Sequence, residues 1–452
     1  MNFYTIKQTE KIILPQKANN PAVNDLLKNY SYGIKWDIEF SDNENEIIIG
    51  DAKAFTTGDS EYTIDITEKG VYIGGTGYKA TIRGFVTLLE KIFCYGKRDY
   101  KIKCGTVSEK PKIAFRSVHF CLFPEYDIEK IRKAIRTCGI AKYTHVILET
   151  WGSIKLDTLK ELSWEFGHSK QAIKELVAEA NALGMEVMPF FQHLGHASLA
   201  RLGYTGKHTI LDQNPELEYL YYPESYGWVW NFKSEEVREM LKNVREELME
   251  LFGECEYFHL GCDESGLEFD ADELSSYLNE VSAHLKAKGR RAVIWGDMLL
   301  SHDFFEETKY ECNSTSDYAN ALLKELDKDI IIADWQYNIT ADSWETSKLL
   351  EGNGFDVICC PWQGDDNLNS ALKTVFEDKH FGIMKTTWNT LFERGDGIPA
   401  IMYFGIGAYG DSTFAKLKNR VYYTAERAHV TFRKTSPEIV PYKRCGWREN
   451  NV

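Results

Sequence analysis

Residues 257–297 read YFHLGCDESGLEFDADELSSYLNEVSAHLKAKGRRAVIWGD. An apolar strand (Tyr257–Gly261) leads into a polar turn, a helical stretch (271–288) and a second apolar strand (Ala292–Trp295). Short apolar runs of this kind, separated by helical periodicity, are the pattern of parallel strands joined by crossover helices. The same alternation extends in both directions from Pro111 onward. Candidate strands fall at Ile113–Phe120, Thr144–Glu149, Glu186–Phe191, Tyr257–Gly261, Ala292–Trp295, Ile330–Asp334, Asp356–Cys360 and Phe381–Thr387. Helical stretches fall between them at 127–138, 169–183, 235–251, 271–288, 316–327, 343–352 and 367–377. Eight strands alternating with helices predict an α/β fold, a (β/α)8 TIM barrel. A doubly wound sheet is the alternative, but no G-x-G-x-x-G follows the first strand. Gly74-Gly75-Thr76-Gly77 lacks the G-K-[ST] ending of a phosphate loop.

Upstream of Pro111 the texture differs. Glu46–Ile49, Tyr62–Ile66 and Val71–Ile73 read as strands, and Ile82, Phe85, Leu88, Leu89 and Ile92 share one helix face. The expectation is a small α+β domain over 1–110 and a (β/α)8 barrel domain over 111–452.

Composition narrows the function. The 452 residues carry 53 Lys and Arg against 68 Asp and Glu, a formal charge of −15. That balance argues against nucleic-acid partners, which demand clustered cations, and against anionic membrane surfaces. The 43% hydrophobic and 13% aromatic content supports a large core. None of the ten cysteines shows C-x-x-C spacing, and Cys359 and Cys360 are adjacent, so reduced core thiols are expected. The first residues, MNFYTIKQTEKIILPQ, lack the basic and apolar regions of a secretory leader, and a cytoplasmic location is the expectation.

In a (β/α)8 barrel, chemistry gathers at the C-terminal ends of the strands. There the sequence places Asp263-Glu264 after a strand containing His259. Adjacent carboxyls at such a site push their proton affinities apart, so that one stays protonated and the other ionised. Trp151, Trp228, Trp295, Trp335, Trp362 and Trp388 all fall near strand ends on the same side, which favours a carbohydrate pocket. His193-x-x-His196 with His259 and Asp263 offers a rival, a metal-dependent hydrolase, although His193 and His196 lie in a loop and not on a helix face.

These residues in this order resemble family 20 of the glycoside hydrolases, the β-N-acetylhexosaminidases. The signature H-x-G-x-D-E matches at His259, Gly261, Asp263 and Glu264. Phe115-Arg116 is similar to the element carrying the family's substrate-clamping arginine, and Pro189 with Gly195-His196 to its third-strand element. Trp295, Trp335 and Trp388 fall where the family's pocket tryptophans close strands five, six and eight, and Tyr62–Ile92 resembles its non-catalytic domain. The resemblance implies a retaining exo-glycosidase that removes terminal β-linked GlcNAc or GalNAc from oligosaccharides, with no cofactor and no metal. Glu264 would be acid and base, and Asp263 would orient the 2-acetamido group as its carbonyl attacks the anomeric carbon to form an oxazolinium. Arg116, His196, His259, Trp295, Trp335, Tyr337, Trp362, Trp388 and Asn389 would surround the sugar. Departures are plain: Glu149-Thr150-Trp151 ends the second strand, Phe190-Phe191-Gln192 follows Pro189, and Trp362 stands where the family has tyrosine. Asn389-Thr390 stands where it has glutamate, and Tyr337 is the candidate to supply the missing phenol. A catalytically silent amino-sugar binder on the same scaffold is a further alternative, and a homo-oligomer is compatible with the sequence.

Overall fold

The computed structural model describes residues 2–31, 34–55, 58–95, 99–123, 126–164, 167–197, 215–223, 225, 227–267, 269–306, 309–388 and 397–410. Eight parallel strands close a barrel in sequence order: β1 Phe115–Cys121, β2 His145–Thr150, β3 Glu186–Phe191, β4 Tyr257–His259, β5 Arg291–Trp295, β6 Ile331–Trp335, β7 Val357–Cys360 and β8 Gly382–Lys385. β8 pairs back onto β1, with Phe115 opposite Gly382. The helices begin where short polar side chains satisfy the exposed amides. Asp127 caps α1 (Ile128–Ile140), Ser169 caps α2 (Lys170–Ala182) and Asp270 caps α4 (Ala271–Ala287), with α3 spanning Glu235–Phe252 between the last two. α5 (Ser316–Glu325), α6 (Glu345–Gly352) and α7 (Asp365–Asp378) follow. An eighth helix, α8 (Gly397–Gly410), has no counterpart among the sequence expectations. Its sequence, GIPAIMYFGIGAYG, is apolar all round and rich in glycine, so it shows no polar face to set the period.

The chain ahead of the barrel builds a six-stranded sheet whose last strand is Gly105–Glu109. The Tyr78–Glu90 helix packs on that sheet and also reaches the barrel: Tyr78 donates to the Ala182 carbonyl and Arg83 to the Gly184 carbonyl. No described helix is long and apolar enough to cross a membrane.

Strand alternation sorts the barrel residues into two sets. Ile147, Met188, Phe190, Val293, Trp295 and Trp335 pack together inside the barrel. The intervening residues, such as Val146, Val187 and Ile294, join the layer beneath the helices. Phe115 belongs to the inner set, so Arg116 points outward, and it lies at the end of β1 far from the strand exits. The sequence expectation for Arg116 is therefore wrong. Its fully buried guanidinium donates to the carbonyls of Lys142, Ile113 and Ala114 and lies 5.0 Å from the Tyr409 ring centre. Burial beside Arg83 lowers its pKa to about 10. Arg116→Met should leave KM for sugar unchanged but cost roughly 2–4 kcal/mol of stability, because it strands buried carbonyls. Urea unfolding and steady-state kinetics on the same preparation separate the two effects.

Candidate active site

Asp263 and Glu264 stand at the exit of β4, where the backbone is held in conformations that side chains resist. Gly261, Cys262 and Glu264 have φ of 73°, 75° and 46°, and the nearby His196 and Trp388 have 55° and 44°. Left-handed backbone at non-glycine residues persists only when the surroundings over-determine it, and its concentration here marks a functional region. Packing supplies the constraint. A Cβ on Gly195 would meet the Asp263 carbonyl at 2.1 Å, and one on Gly261 would meet Gln192 Oε1 at 1.8 Å. Both glycines let the loop after β3 press against the acidic pair.

The loop carries His196 to the carboxyls. Its Nε2 lies 3.1 Å from Glu264 Oε2 and 3.3 Å from Asp263 Oδ2. Glu264 Oε2, the nearer of the two, takes the hydrogen bond as acceptor, which assigns the Nε2–H tautomer. Trp228 packs tilted against the imidazole at 4.3 Å and donates its Nε1–H to the Glu264 carbonyl, while Trp151 donates to the carbonyl of His196. The Glu264 amide donates to Asp297 Oδ2, and Trp335 Nε1 donates to Asp297 Oδ1. Burial pushes the Asp297 carboxyl up, opposed by these donors and by Asn313.

The two acids differ in exposure. The Glu264 side chain is 46% exposed and can meet a glycosidic oxygen, whereas Asp263 is 5% exposed. Burial drives the Asp263 pKa up to about 6; His196 pulls it down, and the charges of Asp297, Glu149 and Glu264 push it up. The environment thus separates the two carboxyls into an accessible group and an enclosed one.

Aromatic rings wall the space in front of them. Tyr337 lies 5.0 Å from Trp335 and 5.3 Å from Trp362, and its hydroxyl accepts a hydrogen bond from Trp388 Nε1 at 2.8 Å. Trp388 lies 5.6 Å from Trp295, which forms the fully buried floor. His259 points into the barrel, stacked on Phe190 at 4.1 Å and close to Trp295 at 4.6 Å, and reaches neither carboxyl through a hydrogen bond of its own. It shapes the floor. Asn389 lies outside the described residues.

The histidines offered as metal ligands do not converge. His193 Nδ1 donates to the Phe191 carbonyl and its ring meets Phe258 edge-on, both on the helix side of the sheet, whereas His259 faces the interior. Among the described residues, the groups spaced to hold a cation are His119 with Cys121 and Glu149, and His145 with Glu186 and Cys255. In the first, hydrogen bonds already join the members: Glu149 Oε2 lies 2.9 Å from His119 Nε2 and 3.3 Å from Cys121 Sγ.

Comparison with known proteins places this architecture. Residues 140–364 match the model of the glycosyl hydrolase family 20 catalytic domain. The chain carries a family 20 glycosyl hydrolase catalytic domain. A probable β-hexosaminidase of Arthroderma benhamiae is 24% identical over an alignment of 361 positions that covers 68% of this chain and 52% of that protein. A lacto-N-biosidase of Bifidobacterium bifidum is 21% identical over 273 residues, 55% of this chain and 23% of that protein. The chain thus spans at most about half the length of these curated relatives. Among solved structures, a Flavobacterium johnsoniae chitobiase superimposes with a TM-score of 0.69 at 14% identity, covering 97% of this chain and 72% of that one. A β-N-acetylhexosaminidase from Bacteroides fragilis gives 0.66 at 14% identity, covering 94% and 93%. These family 20 structures share the barrel and its preceding sheet domain.

Among the residues of this family 20 site not expected from the sequence are His119, Glu149 and Gln192. All three are buried, and Gln192 links Glu149 to Asp263. Their signal was parity. His119 and Glu149 share the inner phase of their strands with Phe115 and Ile147, and a polar residue in that phase near a strand exit faces the pocket.

Proposed function

We propose that the protein is a retaining exo-β-N-acetylhexosaminidase that acts by substrate assistance on terminal N-acetylhexosamine of oligosaccharides. The observation that carries the reading is the Asp263–Glu264 pair joined by His196 within an aromatic enclosure, on a family 20 barrel. Adjacent residues on one strand exit cannot flank a sugar from opposite faces, as an ordinary retaining pair must. The nucleophile then has to come from the substrate, and the 2-acetamido carbonyl is in place to attack.

In this reading the exposed Glu264 gives a proton to the glycosidic oxygen and later takes one from water. Asp263, as carboxylate, accepts the acetamide N–H and stabilises the positive charge that grows on the oxazolinium. The Tyr337 hydroxyl accepts from Trp388 and also meets the Thr386 hydroxyl, and in this reading it turns its hydrogen to the acetamide carbonyl when sugar binds. Trp335, Trp362 and Trp388 pack against the C–H faces of the sugar, and Trp295 closes the floor. Neither a cofactor nor a metal enters this scheme. Hydrolysis of p-nitrophenyl β-GlcNAc and β-GalNAc, with the β-glucoside uncleaved, is the expected result. EDTA should leave the rates unchanged. Equal cleavage of the glucoside would overturn acetamide participation, and EDTA-sensitive turnover restored by zinc would favour a metal hydrolase.

A further inference from the structure

Beneath the acidic pair runs a buried polar chain that the catalytic scheme does not use. Gln192 Nε2 lies 3.0 Å from Glu149 Oε1 and 3.2 Å from Asp263 Oδ1, and Gln192 Oε1 accepts the backbone N–H of Cys262 at 3.2 Å. The last contact fixes the amide. Its oxygen must face the Cys262 amide, so both N–H groups face carboxyls, one each. Glu149 in turn is held by His119 and Cys121, all with no solvent exposure. A Cβ on Gly261 would strike Gln192, so the chain at this point is shaped around the amide.

We propose that Glu149 and Gln192 are positioning residues that set which oxygen of Asp263 carries its proton and how readily that proton leaves. The proposal rests on the hexosaminidase reading only for its consequence in turnover. Because Gln192 donates to Oδ1, a proton on Asp263 belongs on Oδ2, the oxygen beside His196. Oδ1 is kept an acceptor, and the carboxyl plane is fixed for an incoming acetamide. Glu149 acts in the opposite sense to Gln192: its charge, one amide away, opposes ionisation of Asp263, whereas the Gln192 donor favours it. The other groups facing Asp263 are His196 after β3, Asp297 after β5, Tyr337 after β6, and its own neighbours Cys262 and Glu264. None of these is altered by the substitutions below.

The test reads the proton affinity of Asp263 through stability. The melting temperature of an Asp263→Asn variant minus that of its parent is followed against pH in wild-type, Glu149→Gln and Gln192→Met backgrounds. The midpoint of that difference curve reports where Asp263 ionises. It should fall by about one pH unit in Glu149→Gln and rise by a similar amount in Gln192→Met, given the Coulomb energy of charges one amide apart. Purified Gln192→Met should also lose at least about tenfold in kcat on p-nitrophenyl β-GlcNAc with KM little changed. Opposite shifts cannot come from general loosening, which would move both midpoints the same way or neither. Unmoved midpoints in folded variants overturn the proposal, and if Glu149→Gln does not fold, the upward shift in Gln192→Met decides alone. The melting measurement needs no turnover, so an inactive wild type would count against the hexosaminidase reading and leave this result standing.

Discussion

Glu264→Gln should lower kcat/KM on unactivated β-GlcNAc disaccharides by about 10²–10⁴-fold while sugar binding persists. The substitution keeps the side-chain shape and the contact with His196 Nε2, but removes the proton that the glycosidic oxygen needs. Leaving groups differ in that need. Dinitrophenolate departs as a stable anion, so the same variant should lose far less on a dinitrophenyl glycoside than on chitobiose. Side-by-side rates on the two substrates measure the acid role directly. Equal losses on both would mean that Glu264 does something other than protonate.

The second large effect belongs to Asp263→Asn, and it has two signs. Turnover of acetamido sugars should drop by about 10²–10³-fold, because a neutral amide cannot stabilise the charge on the oxazolinium. Stability should move the other way. The folded pKa of Asp263, about 6, is raised above its ordinary 3.8 by burial and neighbouring carboxyls. A group raised in this way favours folding below its unfolded value, and that contribution is lost as pH rises through about 6. Above pH 6 the fold carries an ionised buried carboxyl at a cost of up to about 3 kcal/mol, which asparagine relieves. The variant should therefore melt higher than wild type at pH 7.5, with the gap closing by about pH 4. In the wild type the same ionisation should appear as an acid limb in kcat/KM near pH 6, with turnover falling below it. A variant that melts lower at every pH would show that Asp263 is ionised and well paired in the fold.

Much of this was legible before any coordinates. The strands from β2 to β7 coincide closely with apolar runs, since each is buried on both faces and its composition leaves no other reading. Asp263 and Glu264 were identifiable because two acids directly after an apolar strand have no structural reason to be there. Arg116 was misread because motif spacing carries no information on strand parity, and a shift of one residue exchanges pocket for helix layer. α8 was missed because a helix apolar on every side has no period to detect. The partnership of Glu149 with Gln192 was beyond reach, since it joins exits of two strands 43 positions apart through a single amide orientation.

The floor of the barrel has its own consequence. Lys142 bonds Tyr62 and Glu109 of the preceding sheet and lies 4.3 Å from the ring of Tyr409 on α8, whose hydroxyl bonds Glu61. Arg83 of the sheet domain's helix pairs with that same Glu61. Lys142 of the barrel and Glu109 of the sheet thus form an ion pair across the boundary, and Tyr409 of α8 bridges the lysine and Glu61. Removing the sheet domain would leave Lys142, whose side chain is 3% exposed, without its carboxylate partner. With the hydrogen bonds of Tyr78 and Arg83 to the barrel, this predicts that the two melt together on heating, and their seam is a place where recombination between homologous genes would be punished.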